Sequence, residues 1–495
     1  MMQAYEFKNC FELFERLKNI PENDVLIKYM KGKDVVEVYK DDFWEDIKAT
    51  SSALIRLGLQ GKHVGIIGKN SYHWFVSYCA LMNVGSVVVL FNKDYSIEEI
   101  NKLAVYTDLS AIIFDEEREK VTTQAVMGLD IVTIHMQISH NSNNISLEIE
   151  KKKKPVVITN NSKRDDLACI IFTSGTTGEN KAVMLSNKSL LMIFFYDPGL
   201  ENVRSTLVVL PFHHLAGFSC AMNNMCFKRC VCIGEDIKRI FQYISCMHVE
   251  NFSAVPAILS VAEQRLRKAK DGERPLGDVK VISCGGAKFQ PDVLNTFLKS
   301  NIKIIQAYAA SETGGLGLSC EMTLNTMHTL GKPSAQIEAD IQDGELVLRG
   351  DSIMMGYYKN REATEEVIKD GWYHTGDLCR RDEDGYYYYL GRKKNLIILS
   401  NGENVSPEEI ENKLQICNDS KEVLIKEEND FICGEFYPNY PENATEEEIE
   451  IIRQRIIAFV ENYNSNVPTY KQVKIIKFRE CAFEKTPMGK IVRYQ

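Results

Sequence analysis

The chain lacks most of what would mark a membrane, secreted or nucleic-acid-binding protein. Residues 1–10 show no basic region followed by an apolar run, so no signal peptide is visible. The longest apolar stretches, such as residues 87–91, fall far short of the roughly 20 residues a membrane span needs. There is no excess of positive charge: 59 Lys and Arg stand against 68 Asp and Glu, a formal net charge of −9. That balance excludes a nucleic-acid surface as the main business, because such surfaces carry a basic footprint. The one basic block, residues 151–154, reads as a solvated linker rather than an anionic-membrane contact. No short-period repeat is present. The cluster Cys220, Cys226, Cys230 and Cys232 contains no C-x-x-C, and its spacings do not match a zinc knuckle, so buried apolar cysteines are expected. Fourteen cysteines without a signal peptide read as reduced thiols and a cytoplasmic location.

What is present is a soluble globular mix, 44% hydrophobic and 26% charged, over 495 residues. That length calls for a large body plus at least one further domain. Residues 63–67, 86–91 and 111–114 read as buried strands, with helices over 74–82 and 98–106 between them. The same rhythm returns over 205–306. A βαβαβ pattern implies an α/β fold with mostly parallel sheets flanked by helices. Residues 141–164 are polar and read as a surface connection. A boundary is placed after residue 393. Residues 1–393 form the body, and 394–495 a small α+β C-terminal domain. There Ser406 and Glu409 make a capping box, with Pro407 at the first helical position. Ile449, Ile452, Ile456, Val460 and Tyr463 repeat at helical spacing and should face that domain's core.

The segment with the sharpest chemistry is Ile170-Ile171-Phe172-Thr173-Ser174-Gly175-Thr176-Thr177-Gly178-Glu179-Asn180-Lys181. An apolar strand runs into a turn dense in hydroxyls and glycines, then a lysine. Backbone N–H groups in such a turn form an anion nest, and the hydroxyls add donors for phosphate oxygens. It is not a Walker loop, since Asn180 and Ala182 stand where that motif needs Gly and Ser or Thr. Nor is there a G-x-G-x-x-G fingerprint.

Thr173 to Lys181 resembles the phosphate loop of the adenylate-forming (AMP-binding) superfamily. Further matches follow in that family's order: Leu210-Pro211-Phe212-His213-His214, Gly285-Gly286-Ala287, Tyr308-Ala309-Ala310-Ser311-Glu312, Thr375-Gly376-Asp377, Gly391-Arg392, Asn401-Gly402-Glu403-Asn404 and Lys485-Thr486-Pro487-Met488-Gly489-Lys490. The flanks look most like bacterial fatty-acyl-CoA synthetases.

The resemblance implies an AMP-forming acid–thiol ligase using ATP, Mg2+ and coenzyme A. Lys490 is then the catalytic cation, and Glu312 with Thr173 serves the metal. Thr173, Ser174, Gly175, Thr176, Thr177, Gly178 and Lys181 hold the phosphates. Gly285, Gly286, Ala287, Tyr308 and Ser311 border the adenine, and Asp377 and Arg392 take the ribose or phosphate. His214 lies near the acyl pocket, Lys394 is the hinge of a mobile C-terminal lid, and Gly402 and Glu403 line the thiol channel. Three departures stand out. Asn180 replaces a proline and Ala182 a glycine in the loop, which alters stiffness but not donors. Ala309 replaces a glycine beside the acyl tunnel, which favours a medium-chain or aromatic acid. Amino-acid-activating relatives carry an aspartate near Phe212-His213-His214-Leu215. None stands here, so an acid without an α-amine is expected. The competing acceptor is a phosphopantetheinyl carrier protein. A luciferase-like oxygenase and a non-catalytic nucleotide binder are the other classes.

Overall fold

The computed structural model describes residues 3–19, 24–137, 144–174, 180–197, 199–270, 272–285, 291–400, 403–485 and 491–493. The chain divides into two compact units, residues 1–339 with 348–373, and residues 340–347 with 374–495.

The first unit is built on two sheets. The strands of one include β1 (His63–Ile67), β2 (Val87–Leu90), β3 (Ala111–Phe114), β4 (Val132–His135), β5 (Leu167–Ser174) and β6 (Asn180–Ser186). β1 pairs in parallel with both β2 and β3, and β2 with β5, as expected of βαβ units. The sequence reading locates β1 and β3 correctly because strands buried on both faces are continuous apolar runs. The intervening helices are α1 (Tyr72–Asn83) and α2 (Ile97–Tyr106). Ser71 caps α1 through the Trp74 N–H, and Ser96 with Glu99 forms a capping box on α2.

The second sheet carries β7 (Ser205–Val208), β8 (Cys230–Ile233), β9 (Asn251–Ala254), β10 (Val281–Gly285) and β11 (Lys303–Tyr308), all joined in parallel. Helix α3 (Leu215–Cys226) follows β7. Buried aromatics join α1 to α3. Trp74 lies 5.0 Å from Phe212 and Tyr78 4.9 Å from Phe218, ring centre to ring centre. Helix α1 is mostly apolar, and every residue in it except His73 is buried.

Two expectations need correction. Residues 141–164 are not simply a surface connection, because Ile145–Ser146 adds a parallel strand to β4 and Leu147 is buried. Lys151 is not a solvated charge. Its side chain is 13% exposed and pairs with Asp46 at 2.7 Å and Glu148 at 3.0 Å. All fourteen cysteines are free; in the cluster Cys226 and Cys232 are buried while Cys220 and Cys230 are half-buried, and Cys246 and Cys481 elsewhere are exposed.

The second unit contains the end of β12 (Trp372–Arg381), paired antiparallel with β13 (Tyr387–Arg392) so that Asp377 faces Arg392. Beyond it, α4 (Pro407–Leu414) and α5 (Glu446–Ser465) share a core with a three-stranded sheet. Ser406 caps α4, Ile452, Ile456, Val460 and Tyr463 are buried, and Ile449 is half-buried.

Candidate functional site

Strands β5 and β6 form an antiparallel hairpin, and its last pairs are Thr173 with Lys181 and Ser174 with Asn180. The ladder therefore delivers the hydroxyl-rich turn from a rigid base. Gly175, Thr176, Thr177 and Gly178 of the turn lie outside the described residues, as do Gly286, Ala287, Gly402 and Lys490.

At that base the structure joins residues that the sequence leaves apart. Lys181 Nζ stands 4.7 Å from the centre of the Tyr357 ring, and the Tyr357 hydroxyl donates to Glu312 Oε1 at 3.0 Å. The segment around Tyr357 stitches the pieces together. Met354 N–H donates to the Glu312 carbonyl at 2.8 Å, and Met355 N–H to Met184 O at 2.9 Å. Tyr358 N–H donates to Ala182 O at 2.8 Å. Glu312 itself sits in a single 3-10 turn, Ser311–Thr313, closed by Gly314 at φ +63°. A side chain at 314 would meet Ser352 O at 2.5 Å. Burial, with the Glu312 charge beside it, pushes the Tyr357 hydroxyl well above its usual range, so it remains a donor. The sequence reading missed Tyr357. It lies 45 residues from Glu312, and no spacing marks it.

The donor chemistry here fits Mg2+. The ion takes hard oxygen ligands and keeps several waters. Glu312 retains Oε2 without a hydrogen-bond partner among the described residues, and Thr173 offers a hydroxyl at the end of β5.

Gly285 and Tyr308 end the adjacent parallel strands β10 and β11, with Ser311 in the turn that follows. Carboxyl ends of parallel strands are where open α/β sheets bind ligands. Asn70, just beyond β1, ties the two sheets at that level. Its amide donates to Leu210 O at 2.9 Å and Gly234 O at 3.3 Å, and it accepts from Phe212 N–H at 2.7 Å.

Phe212-His213-His214 leads directly into α3. The two imidazoles stand 4.2 Å apart. His213 is 6% exposed and its Nε2 has no hydrogen-bond partner among the described residues. Burial, reinforced by His214, lowers His213 to about 3, and burial also lowers His214. Both rings are therefore neutral at physiological pH, an environment that suits an uncharged substrate body.

In the second unit Asp377 is 4% exposed. Arg392 Nε meets Asp377 Oδ1 at 2.9 Å, and its Nη1 donates to Thr375 O at 2.8 Å. Asp377 and Arg392, matched separately to the nucleotide's ribose or phosphate, thus form one ion pair, set by the register of the β12–β13 hairpin. Lys394 follows in the turn Lys393–Asn395, where burial and the nearby Arg392 lower its pKa. The Glu403 backbone carbonyl accepts from Leu399 N–H at 3.0 Å across a short hairpin. On either side of Lys490, Lys485 pairs with Ile491 and with Glu422, and Arg493 binds Glu411.

The chain is similar to known proteins over most of its length. Residues 26–358 match the family model "AMP-binding enzyme", and residues 394–495 match "AMP-binding enzyme C-terminal domain". The chain is 28% identical over 492 residues to the 2-succinylbenzoate–CoA ligase of Listeria monocytogenes serotype 4b, covering 97% of each chain. It is 26% identical to the peroxisomal OPC-8:0-CoA ligase 1 of Arabidopsis thaliana, over 91% of this chain and 86% of that one. Among solved structures, the o-succinylbenzoate CoA synthetase of Bacillus subtilis, in complex with its acyl-adenylate intermediate, shares the fold. Its TM-score is 0.78 at 18% identity, covering 98% of this chain and 97% of that one. ATP-bound MatB from Rhodopseudomonas palustris does so with a TM-score of 0.79 at 20% identity, over the same shares. No helix among the described residues is long and apolar enough to cross a membrane. With two thirds of its length matched by the family model, and a hydroxyl-rich hairpin beside Glu312 at the strand ends, the chain belongs to the AMP-binding enzyme family, the adenylate-forming ligases.

Proposed function

We propose that the protein activates a carboxylic acid with ATP and passes the acyl group to coenzyme A. In the first step a carboxylate oxygen attacks the α-phosphorus, the bond to the β-phosphate breaks, and pyrophosphate leaves. In the second the thiolate attacks the acyl carbon and AMP leaves. Both reactants of the first step are anions, so catalysis is chiefly positioning and charge neutralisation. The observation that carries the reading is the joining of Lys181 and Glu312 at the base of the hydroxyl-rich turn.

The turn residues Thr173 to Gly178 and Lys181 hold the phosphates. Glu312 and the Thr173 hydroxyl would hold Mg2+, which when bound offsets phosphate charge. Gly285, Gly286, Ala287, Tyr308 and Ser311 border the adenine. Asp377, oriented by Arg392, accepts from the ribose hydroxyls, and Lys490 supplies the cation at the reacting atoms. The body is residues 1–393 and the lid 394–495, in a cytoplasmic enzyme. Glu403 and Gly402 border the thiol's approach. Relatives named as 2-succinylbenzoate–CoA ligases support an aryl acid, and the lack of an acidic residue in Phe212-His213-His214-Leu215 supports one without an α-amine.

A panel of aryl, medium-chain and amino acids, assayed for AMP release with CoA present, tests this. An aryl or medium-chain acid is expected to give CoA-dependent AMP release, and leucine-like acids none. Amino acids driving ATP–pyrophosphate exchange better than plain acids would overturn the substrate class. Thioester formed only on a phosphopantetheinylated carrier would overturn the acceptor.

Lys394→Pro tests the hinge. Fixing φ at one residue of the turn Lys393–Asn395 should restrict rotation there. ATP–pyrophosphate exchange is expected to survive better than thioester formation, and equal loss of both would refute the hinge.

A further inference from the structure

We infer that Tyr357 is a positioning residue that keeps the two opposite charges of the nucleotide site apart. This rests on the reading of Lys181 as a phosphate ligand and Glu312 as a metal ligand. A lysine and a glutamate that are both half-buried and both touch one side chain would otherwise pair with each other, and in partial desolvation such a pair holds tightly. Each would then be spent on the other. Among the described residues neither forms an ion pair. Instead the tyrosine stands between them. The ring face takes the ammonium at 4.7 Å, and the hydroxyl takes Glu312 Oε1 at 3.0 Å. Both groups are held in place, yet neither charge is neutralised. The ammonium keeps its full charge for phosphate oxygens, and the carboxylate keeps Oε2 for a cation.

Tyr357 is placed rigidly enough for this. It is 5% exposed, its N–H donates to Thr364 Oγ1 at 2.8 Å, and it pairs with Val183 on β6, two residues from Lys181. The same strand segment that presents the ring also holds the Glu312 backbone through Met354 N–H. One short piece of chain therefore sets the separation of both charges, as expected of a supporting residue behind a functional group.

The test measures Mn2+ binding, by the loss of the free-ion paramagnetic resonance signal, to the full chain without nucleotide, so that neither chelation by phosphates nor the loss of a phosphate contact in a Lys181 variant enters the readout. Melting temperatures check that each variant folds. Tyr357→Phe keeps the ring but frees Glu312, and a several-fold weaker Mn2+ affinity is expected. Tyr357→Leu removes the ring as well, lets Lys181 reach Glu312, and should weaken Mn2+ binding by about tenfold or more, as for loss of a charged ligand's freedom. Adding Lys181→Gln to Tyr357→Leu should restore most of that lost metal affinity, because no ammonium remains to claim the carboxylate. A merely structural role predicts the opposite, a further loss in the double variant. Wild-type Mn2+ affinity in Tyr357→Phe, or no recovery in the double variant, overturns the inference. Glu312→Gln separates the levels. If it leaves Mn2+ binding unchanged, Glu312 is not the metal ligand and the inference falls with that reading. If it weakens binding while the Tyr357 variants bind normally, only the inference falls.

Discussion

Replacing Lys490 by alanine is expected to cut pyrophosphate release by about a hundredfold or more, the scale seen when a preorganised charge-stabilising group is removed. The argument is electrostatic. A carboxylate and a nucleotide phosphate repel each other, and charge moves to the bridging oxygen as the bond to pyrophosphate breaks. A cation at that point acts only where the two anions meet, so its loss should appear in the rate of the first step rather than in ATP affinity. The fold should not suffer. The described residues on either side of it are held by contacts of their own. Phe483 N–H donates to Glu422 Oε2 at 2.8 Å, Lys485 pairs with Glu422, and Arg493 binds Glu411 and, at 3.4 Å, Glu408. The melting temperature should stay near that of the wild type, and supplied acyl-adenylate should still be converted to thioester. Near-normal pyrophosphate release in the variant would remove Lys490 from the mechanism.

Particular elements show what the chain discloses linearly and what it does not. The β1–α1–β2–α2–β3 run is legible because each buried parallel strand is an unbroken apolar run bounded by polar turns. The Ser406 cap is legible because capping is local, and Ser406 does accept from Glu409 N–H, but the expected capping box is only half made, since the Glu409 carboxylate pairs with Lys413 at 3.1 Å and Lys471 at 2.8 Å. Ile145–Ser146 escapes because two residues carry no period. Lys151 misleads because a charge run looks solvated until Asp46, far upstream, is folded against it. The motifs flag Asp377 and Arg392 one at a time, but their pairing depends on hairpin register across a bulge between Leu378 and Cys379. Tyr357 is the clearest omission. Its chemistry comes from two contacts with other strands and turns, and nothing in Met354-Met355-Gly356-Tyr357 announces either. Local rules thus recover elements and ends, while the groups that set charge separation need the tertiary structure.

Gly217→Ala should destabilise the first unit by about 3 kcal/mol, the upper end for forcing a methyl into a filled space. The residue lies in the first turn of α3, where an added Cβ would stand 2.2 Å from the Pro211 carbonyl oxygen and 2.8 Å from that of Leu210. Both obstacles are backbone, so a side-chain adjustment cannot relieve them. Either the helix or the loop must move. The loop is fixed by Asn70, which accepts from Phe212 N–H, and by Phe212 itself, buried against Trp74 and Phe75 with ring centres at 5.0 and 5.7 Å. The helix is fixed by Tyr78 against Phe218. Strain at 217 therefore spreads into the aromatic layer that joins the two sheets, and it displaces His213 and His214, which stand between Phe212 and α3. The expected outcome is a melting temperature lower by several degrees, with KM for the acid raised more than KM for ATP, because the phosphate hairpin and Glu312 lie on other elements. A variant that melts with the wild type and keeps its KM for the acid would show that α3 and the loop before it have room to separate. The acid would then be read by another wall of the site.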